Sequence, residues 1–182
     1  RGMKLLITGG AGFIGSAVIR QAISDGHQVV NLDALTYAAC LDSLKSVHDA
    51  PGYQFEQADI CDRRMIDTIF LKHQPDAVMH LAAESHVDRS IDAPGEFIET
   101  NIIGTANLLE SLRFSDTTKV LVCITSDKCY ENVEKNEGYY EDDTLGGIDP
   151  YSASKAAAEI IYSSYNRSFF KDKINFGSAT AR

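Results

Sequence analysis

The 182-residue sequence predicts an α/β fold, a doubly wound parallel sheet (Rossmann fold) of six strands in the order 3-2-1-4-5-6 with helices on both faces. Three observations predict it. Short apolar runs alternate with stretches of helical periodicity along the whole chain, the pattern of a parallel sheet covered on both sides. The first apolar run breaks into a glycine cluster that opens a helix. Right-handed crossovers between successive parallel strands then leave the doubly wound order as the way to join two such halves.

In chain order, residues 4–8 (KLLIT) read as a buried strand and residues 13–25 as the first helix. Residues 27–32 (HQVVNL) form the second strand, ending in Asp33. Residues 41–49 have weak helical periodicity and stop at Ala50-Pro51-Gly52. Residues 53–57 alternate as a third strand, after which Asp62 caps a helix that runs to His73 and ends before Pro75. Residues 77–81 (AVMHL) are the fourth strand. Residues 94–113 form a long helix whose Phe97, Ile98, Ile102, Thr105, Leu108, Leu109 and Leu112 make an apolar stripe. Residues 119–125 (KVLVCIT) are the fifth strand, 131–150 an aperiodic loop, 151–170 a helix and 173–179 the sixth strand. Residues 3–182 form one domain without internal repeat, low-complexity tract or linker, and Arg1 and Gly2 read as a cloning remnant.

Composition narrows the function classes. With 44% hydrophobic and 24% charged residues the chain resembles an ordinary soluble globular protein. A formal net charge of −9 argues against a nucleic-acid or anionic-membrane partner, since both need a basic footprint. Cys40, Cys61, Cys123 and Cys129 show no C-x-x-C pairing, so they read as reduced thiols of a cytoplasmic protein, with no metal site. No apolar run approaches the roughly 20 residues that span a bilayer.

The glycine cluster carries the chemistry. Gly10, Gly12 and Gly15 satisfy G-x-G-x-x-G, while Gly9, Gly12 and Gly15 give G-x-x-G-x-x-G, and the sequence leaves open which glycine makes which contact. Glycines there permit a tight turn and close approach of backbone to a pyrophosphate, and the free N–H groups of the following turn, which opens with Phe13 and Ile14, favour anions. An ordinary turn accounts for a glycine triplet alone. Asp33, about 20 residues past the loop, adds an acidic side chain placed for the ribose hydroxyls of NAD and repulsive to the 2′-phosphate of NADP.

In a doubly wound sheet, ligands lie beyond the carboxyl ends of the strands, at the switch between strands 1 and 4. The segments there are polar: residues 80–90 (HLAAESHVDRS) and 124–132 (ITSDKCYEN). Tyr151 and Lys155, four apart on the next helix, share one face. An ammonium near a phenol favours the phenolate, making the pair a candidate general base, with Ser126 placed to hold the reacting oxygen.

With these motifs on the page, the sequence resembles the extended short-chain dehydrogenase/reductase superfamily, specifically the nucleotide-sugar 4,6-dehydratases. The resemblance rests on TGGAGFIGS, Asp33 with LTYA, ADI at 58–60, QPDAVMHLAAESHVDRS from Gln74, FIETNIIGT from Phe97, and the Tyr151/Lys155 pair. Residues 3 to about 112 resemble dTDP-glucose 4,6-dehydratase. TSDKCYENVE and GGIDPYSASKAAAE are similar to CDP-glucose 4,6-dehydratase, suggesting either a natural intermediate or a recombinant joined near 111–118.

The resemblance implies roles residue by residue. Tyr151 takes the proton of the sugar 4-hydroxyl, Lys155 binds the nicotinamide ribose, and Ser126 completes the triad. Asp127 protonates the departing 6-hydroxyl and Lys128 is the base at C5, which requires a deprotonated amine. The cofactor, NAD, is held by Gly9, Gly12, Phe13, Ile14, Gly15, Asp33 and Thr36, with Asp59 and Ile60 flanking adenine. Leu81, Ala82 and Ala83 line the cofactor, and Ser85, His86 and Thr100 face the ribose or hexose. It also implies a further lobe beyond residue 182 that grips the nucleotide, so this chain is expected to bind NAD but turn over NDP-glucose weakly or not at all. Helices 94–113 and 151–170 are expected to pair in a homodimer or higher assembly. The alternative, from another class, is a truncated or engineered Rossmann module without catalysis, whose role is folding or self-association.

Overall fold

The computed structural model describes residues 2–182; Arg1, half of the remnant read from the sequence, lies outside them. Six parallel strands, β1 (Lys4–Thr8), β2 (Gln28–Asp33), β3 (Tyr53–Gln57), β4 (Ala77–His80), β5 (Val120–Ile124) and β6 (Gly177–Ala181), lie in the order β3-β2-β1-β4-β5-β6. Thr8 is in register with Leu32 on one side and His80 on the other, so β1 sits at the switch point.

Both faces of β1 are buried, by the period-2 alternation of a strand. Leu6 points into one cluster with Val30, Val78 and Leu121 of neighbouring strands, Ile66, Ile69 and Phe70 of helix α2 (Arg63–His73), and Leu108, Leu109 and Leu112 of helix α5 (Thr105–Arg113). Leu5 and Ile7 point the other way, onto Ile19 and Ala22 of helix α1 (Phe13–Ser24) and onto Leu44 and Val47. Each such fully buried Leu or Ile contributes roughly 1.5–3 kcal/mol. Asp62 caps α2 as expected, accepting from Met65 N at 3.1 Å.

Several elements differ from the sequence reading. The weak helix at 41–49 is reduced to a 3-10 turn, Leu41–Leu44. A short helix, α3 (Val87–Asp92), follows β4 where no helix is expected. The long helix begins as α4 (Pro94–Phe97), widens into a π-wound stretch, Ile98–Gly104, and continues as α5. Ile98, assigned to the apolar stripe, is 49% exposed, because it follows the fully buried Phe97 about 100° around the helix. Helix α6 (Pro150–Tyr165) starts one residue early because Asp149 caps it, accepting from Ser152 N at 2.9 Å.

The sixth strand is displaced to Gly177–Ala181 from the expected 173–179. Lys173 turns its ammonium onto the carbonyls of Leu112 (3.1 Å) and Ser115 (2.5 Å) at the end of α5, and Phe176 packs on Phe170. Lys173 and Phe176 are thus held outside the sheet, Ile174 between them is exposed, and the small residues GSATA pair with β5 instead. No helix among the described residues is long and apolar enough to cross a membrane.

Candidate active site

The carboxyl ends of β1 to β5 open on one cleft of about 370 Å³. Its floor is the glycine loop. Gly9 has φ +70°, and a Cβ there lies 2.7 Å from the Ala82 backbone; a Cβ on Gly15 lies 2.1 Å from the Gly9 carbonyl oxygen. Gly9, Gly12 and Gly15 line the cleft, whereas Gly10 packs against Asn31 and Ile19 beneath it. The geometry therefore selects the G-x-x-G-x-x-G spacing of the two the sequence allows. Gly12 is the N-cap of α1 and no side chain caps that end, so the first-turn N–H groups at Phe13 and Ile14 are free for an anion.

Asp33 ends β2 and is buried at the cleft wall. Its Oδ2 accepts from Ala11 N and its Oδ1 from Leu35 N, each at 2.8 Å. The carboxylate thus locks the glycine loop to the loop after β2, and each oxygen keeps a lone pair for a ligand hydroxyl. Thr36, Asp59 and Ile60 continue this wall. Asp59 is exposed, its Oδ1 accepting from Cys61 N at 2.9 Å, and Ile60 is buried.

The opposite wall is Leu81, Ala82, Ala83, Ser85 and His86 after β4, with Thr100 from the π-wound stretch and Tyr151 and Lys155 from α6. Lys155 is 7% exposed, and burial pushes its ammonium below the ordinary lysine range, with Cys123 opposing weakly. A buried cation facing a cleft is a site for an anionic or hydroxyl-bearing ligand. The structure brings all these predicted residues to one cavity.

Ser126, Asp127 and Lys128 stand just outside it. Asp127 and Lys128 belong to the 3-10 turn after β5, Asp127–Cys129, which Ser126 caps by accepting from Lys128 N at 3.1 Å. Asp127 and Lys128 are exposed and pair with each other at 3.5 Å. Thr125, the residue before, lines the cleft, with its hydroxyl 2.5 Å from Glu159 Oε1.

Sequence reading did not single out three groups that build the site. Asn101 exchanges hydrogen bonds with the Glu84 backbone, accepting at 2.9 Å and donating at 3.0 Å, and also donates to Ser154 Oγ at 2.9 Å. This ties the segment after β4 to the helix of Tyr151. His80, fully buried, bridges Thr8 and Thr105. Glu84 is buried in the cleft, and burial raises its carboxyl above the usual range. The one signal available in the sequence is that these polar residues sit inside otherwise apolar runs.

A family model described as GDP-mannose 4,6 dehydratase matches residues 6–175. The chain belongs to this family. Among curated relatives, the dTDP-glucose 4,6-dehydratase of Neisseria gonorrhoeae is 47% identical over 91% of this chain and 51% of its own length. That of Escherichia coli strain K12 is 46% identical over 92% and 51%. The chain spans about half the length of the curated relatives it matches.

Solved members and neighbours of the family superpose closely. The dTDP-glucose 4,6-dehydratase of Streptomyces venezuelae, solved with NAD bound, has a TM-score of 0.87 at 34% identity, covering 98% of this chain and 54% of that one. A UDP-glucose 4-epimerase from Thermotoga maritima, solved with UDP-glucose, reaches 0.85 at 30% identity, covering 99% and 54%.

Proposed function

We propose that this chain is the NAD-binding part of a nucleotide-sugar 4,6-dehydratase, an enzyme class that turns NDP-glucose into NDP-4-keto-6-deoxyglucose. The observation that carries the reading is one cleft holding the glycine loop, the Asp33 carboxylate and the buried Lys155 ammonium together. The residues fit a dinucleotide. The Gly15 position has no room for a Cβ beside an uncapped helix start, which suits a pyrophosphate, and Asp33 suits unmodified ribose hydroxyls.

Bound NAD supplies reversible hydride acceptance. In this reading Lys155 holds ribose hydroxyls and lends positive charge to the site, and Tyr151 takes the proton from the sugar 4-hydroxyl. Ser126 holds the same oxygen. Asp127 donates a proton to the leaving 6-hydroxyl, and Lys128, when deprotonated, removes the C5 proton. Ser85 and His86 face the hexose. Cofactor binding belongs to the residues described; turnover draws also on contacts with the nucleotide, which orient the sugar. A homodimer formed through the helical segments 94–113 and 151–170 is part of the same proposal, with the exposed Ile103 and Ile160 supplying apolar surface.

Incubation with dTDP-glucose or CDP-glucose, followed by assay for the 4-keto-6-deoxy product, tests the reading. Weak or no turnover by this chain, with NAD bound, fits the proposal. Turnover near that of a full-length relative contradicts the division of labour, and failure to bind NAD contradicts the site.

A further inference from the structure

The segments after β2 and after β4 touch each other directly, although β1 and its glycine loop lie between them in the sheet. With strands about 4.8 Å apart, β2 and β4 are separated by about 10 Å, so a direct link must pass over the loop after β1. Tyr37 makes that link. Its hydroxyl lies 3.2 Å from the Ser85 carbonyl oxygen and 3.2 Å from His86 Nδ1, and the Arg89 guanidinium stacks on its ring at 3.7 Å.

We propose that Tyr37 and Arg89 form a clasp across the cleft that retains a dinucleotide once it is seated, so that Tyr37 sets its residence time. The inference rests on the dinucleotide reading of the cleft. Both segments joined by the clasp also line it, through Thr36 on one side and Ser85 and His86 on the other.

The clasp is closed but weakly held. Tyr37 is 50% exposed, and exposed hydrogen bonds and cation–π contacts are each worth about a factor of five or less. Two polar atoms at its base lack hydrogen-bond partners while sealed from solvent. Glu84 Oε2 and Arg89 Nε are both buried without a hydrogen bond, and the Glu84–Arg89 approach of 3.7 Å is too long for one. His86, whose Nδ1 lies beside the Tyr37 hydroxyl, has φ +78°, a left-handed backbone that a histidine adopts at a cost. An under-satisfied, strained closure over an otherwise rigid floor is the arrangement of an element that opens.

Stopped-flow measurement of NADH fluorescence tests the clasp on the unmodified chain, Tyr37→Phe and Tyr37→Ala. Tyr37→Ala is expected to raise the association and dissociation rate constants together, by about tenfold, with Kd changing less than about threefold, and Tyr37→Phe to fall between. A dissociation rate within twofold of the parent, or a faster release with unchanged association, overturns the clasp. Hydrogen exchange without cofactor gives a second readout: Tyr37→Ala and Arg89→Ala should each speed exchange in both 34–39 and 84–89. Acceleration confined to the mutated segment also overturns it. If the unmodified chain binds no NADH, the dinucleotide reading falls and takes retention with it, a result distinct from NADH binding with unaltered rates.

Discussion

Thr8 and His80, paired across β1 and β4, share a 2.7 Å hydrogen bond between Oγ1 and Nδ1 whose direction is fixed by its surroundings. Thr8 Oγ1 already accepts from Leu81 N and Ala82 N, both at 3.1 Å, so its own proton goes to Nδ1. His80 is therefore the neutral Nε2–H tautomer and donates to Thr105 Oγ1 at 2.9 Å. The pair thereby holds Leu81 and Ala82, which line the cleft, on the end of β1.

Burial, reinforced by the Lys155 charge, pushes His80 down to about 3. Its folded value lies below the ordinary 6.5, so the unfolded chain takes up a proton that the folded chain refuses. The stability contributed is fully present above pH 6.5 and is lost as pH falls toward 3. The slope due to this residue is roughly 1 kcal/mol per pH unit. Urea unfolding at a series of pH values should show that slope in the parent and its loss in His80→Gln, which itself costs about 1–3 kcal/mol at neutral pH by leaving the threonines mispaired.

Two left-handed glycines should respond differently to alanine. Gly26, at φ +82° with open space around it, should lose only about 1 kcal/mol. Gly9, at φ +70° with Ala82 backbone 2.7 Å from the added carbon, should lose about 3 kcal/mol or more and fail to bind NADH. Thermal unfolding and an NADH titration of both variants check this.

Lys155→Met should make the protein more stable and less able to bind its ligand. Desolvation of the ammonium opposes folding, so methionine, of similar length, should add about 1 kcal/mol or more at neutral pH while weakening NADH at least tenfold. The sign of the pH dependence is specific. A lysine lowered in the folded state loses its proton first as pH rises toward 10.5, so parent stability should rise there relative to Lys155→Met.

Glu159 on α6 gathers the Thr125 hydroxyl at 2.5 Å, the Thr180 hydroxyl at 3.1 Å and Arg182 at 3.0 Å. Arg182 in turn donates to Tyr130 Oη and the Glu141 carbonyl. Glu159→Gln should cost about 3 kcal/mol, because it leaves the guanidinium without its countercharge. Faster hydrogen exchange across 130–145, alongside a lower urea midpoint, is the expected signature.

The strand order was legible because alternation of apolar runs and helical stretches is a local signal, and the floor of the cleft because Gly9, Gly12, Gly15 and Asp33 stand at fixed spacing. What escaped depends on partners distant in sequence. The position of β6 is decided by Lys173 reaching the carbonyls of α5, and GSATA carries little apolar signal of its own. Asn101 lies in a helical run and gains its meaning only from Glu84 and Ser154, 17 and 53 residues away. Tyr37 reads as part of a loop until the sheet order places it opposite Ser85.

The NAD seat proposed above is built from the glycine loop and Asp33. Calorimetric titration of the purified chain with NAD and with NADP, after removal of any copurified nucleotide, tests it most directly. NAD should bind, with NADP at least tenfold weaker, because Asp33 meets the 2′-phosphate with a carboxylate whose two oxygens already hold the loops in place. No heat with NAD at millimolar concentration, or equal affinity for the two dinucleotides, would contradict it.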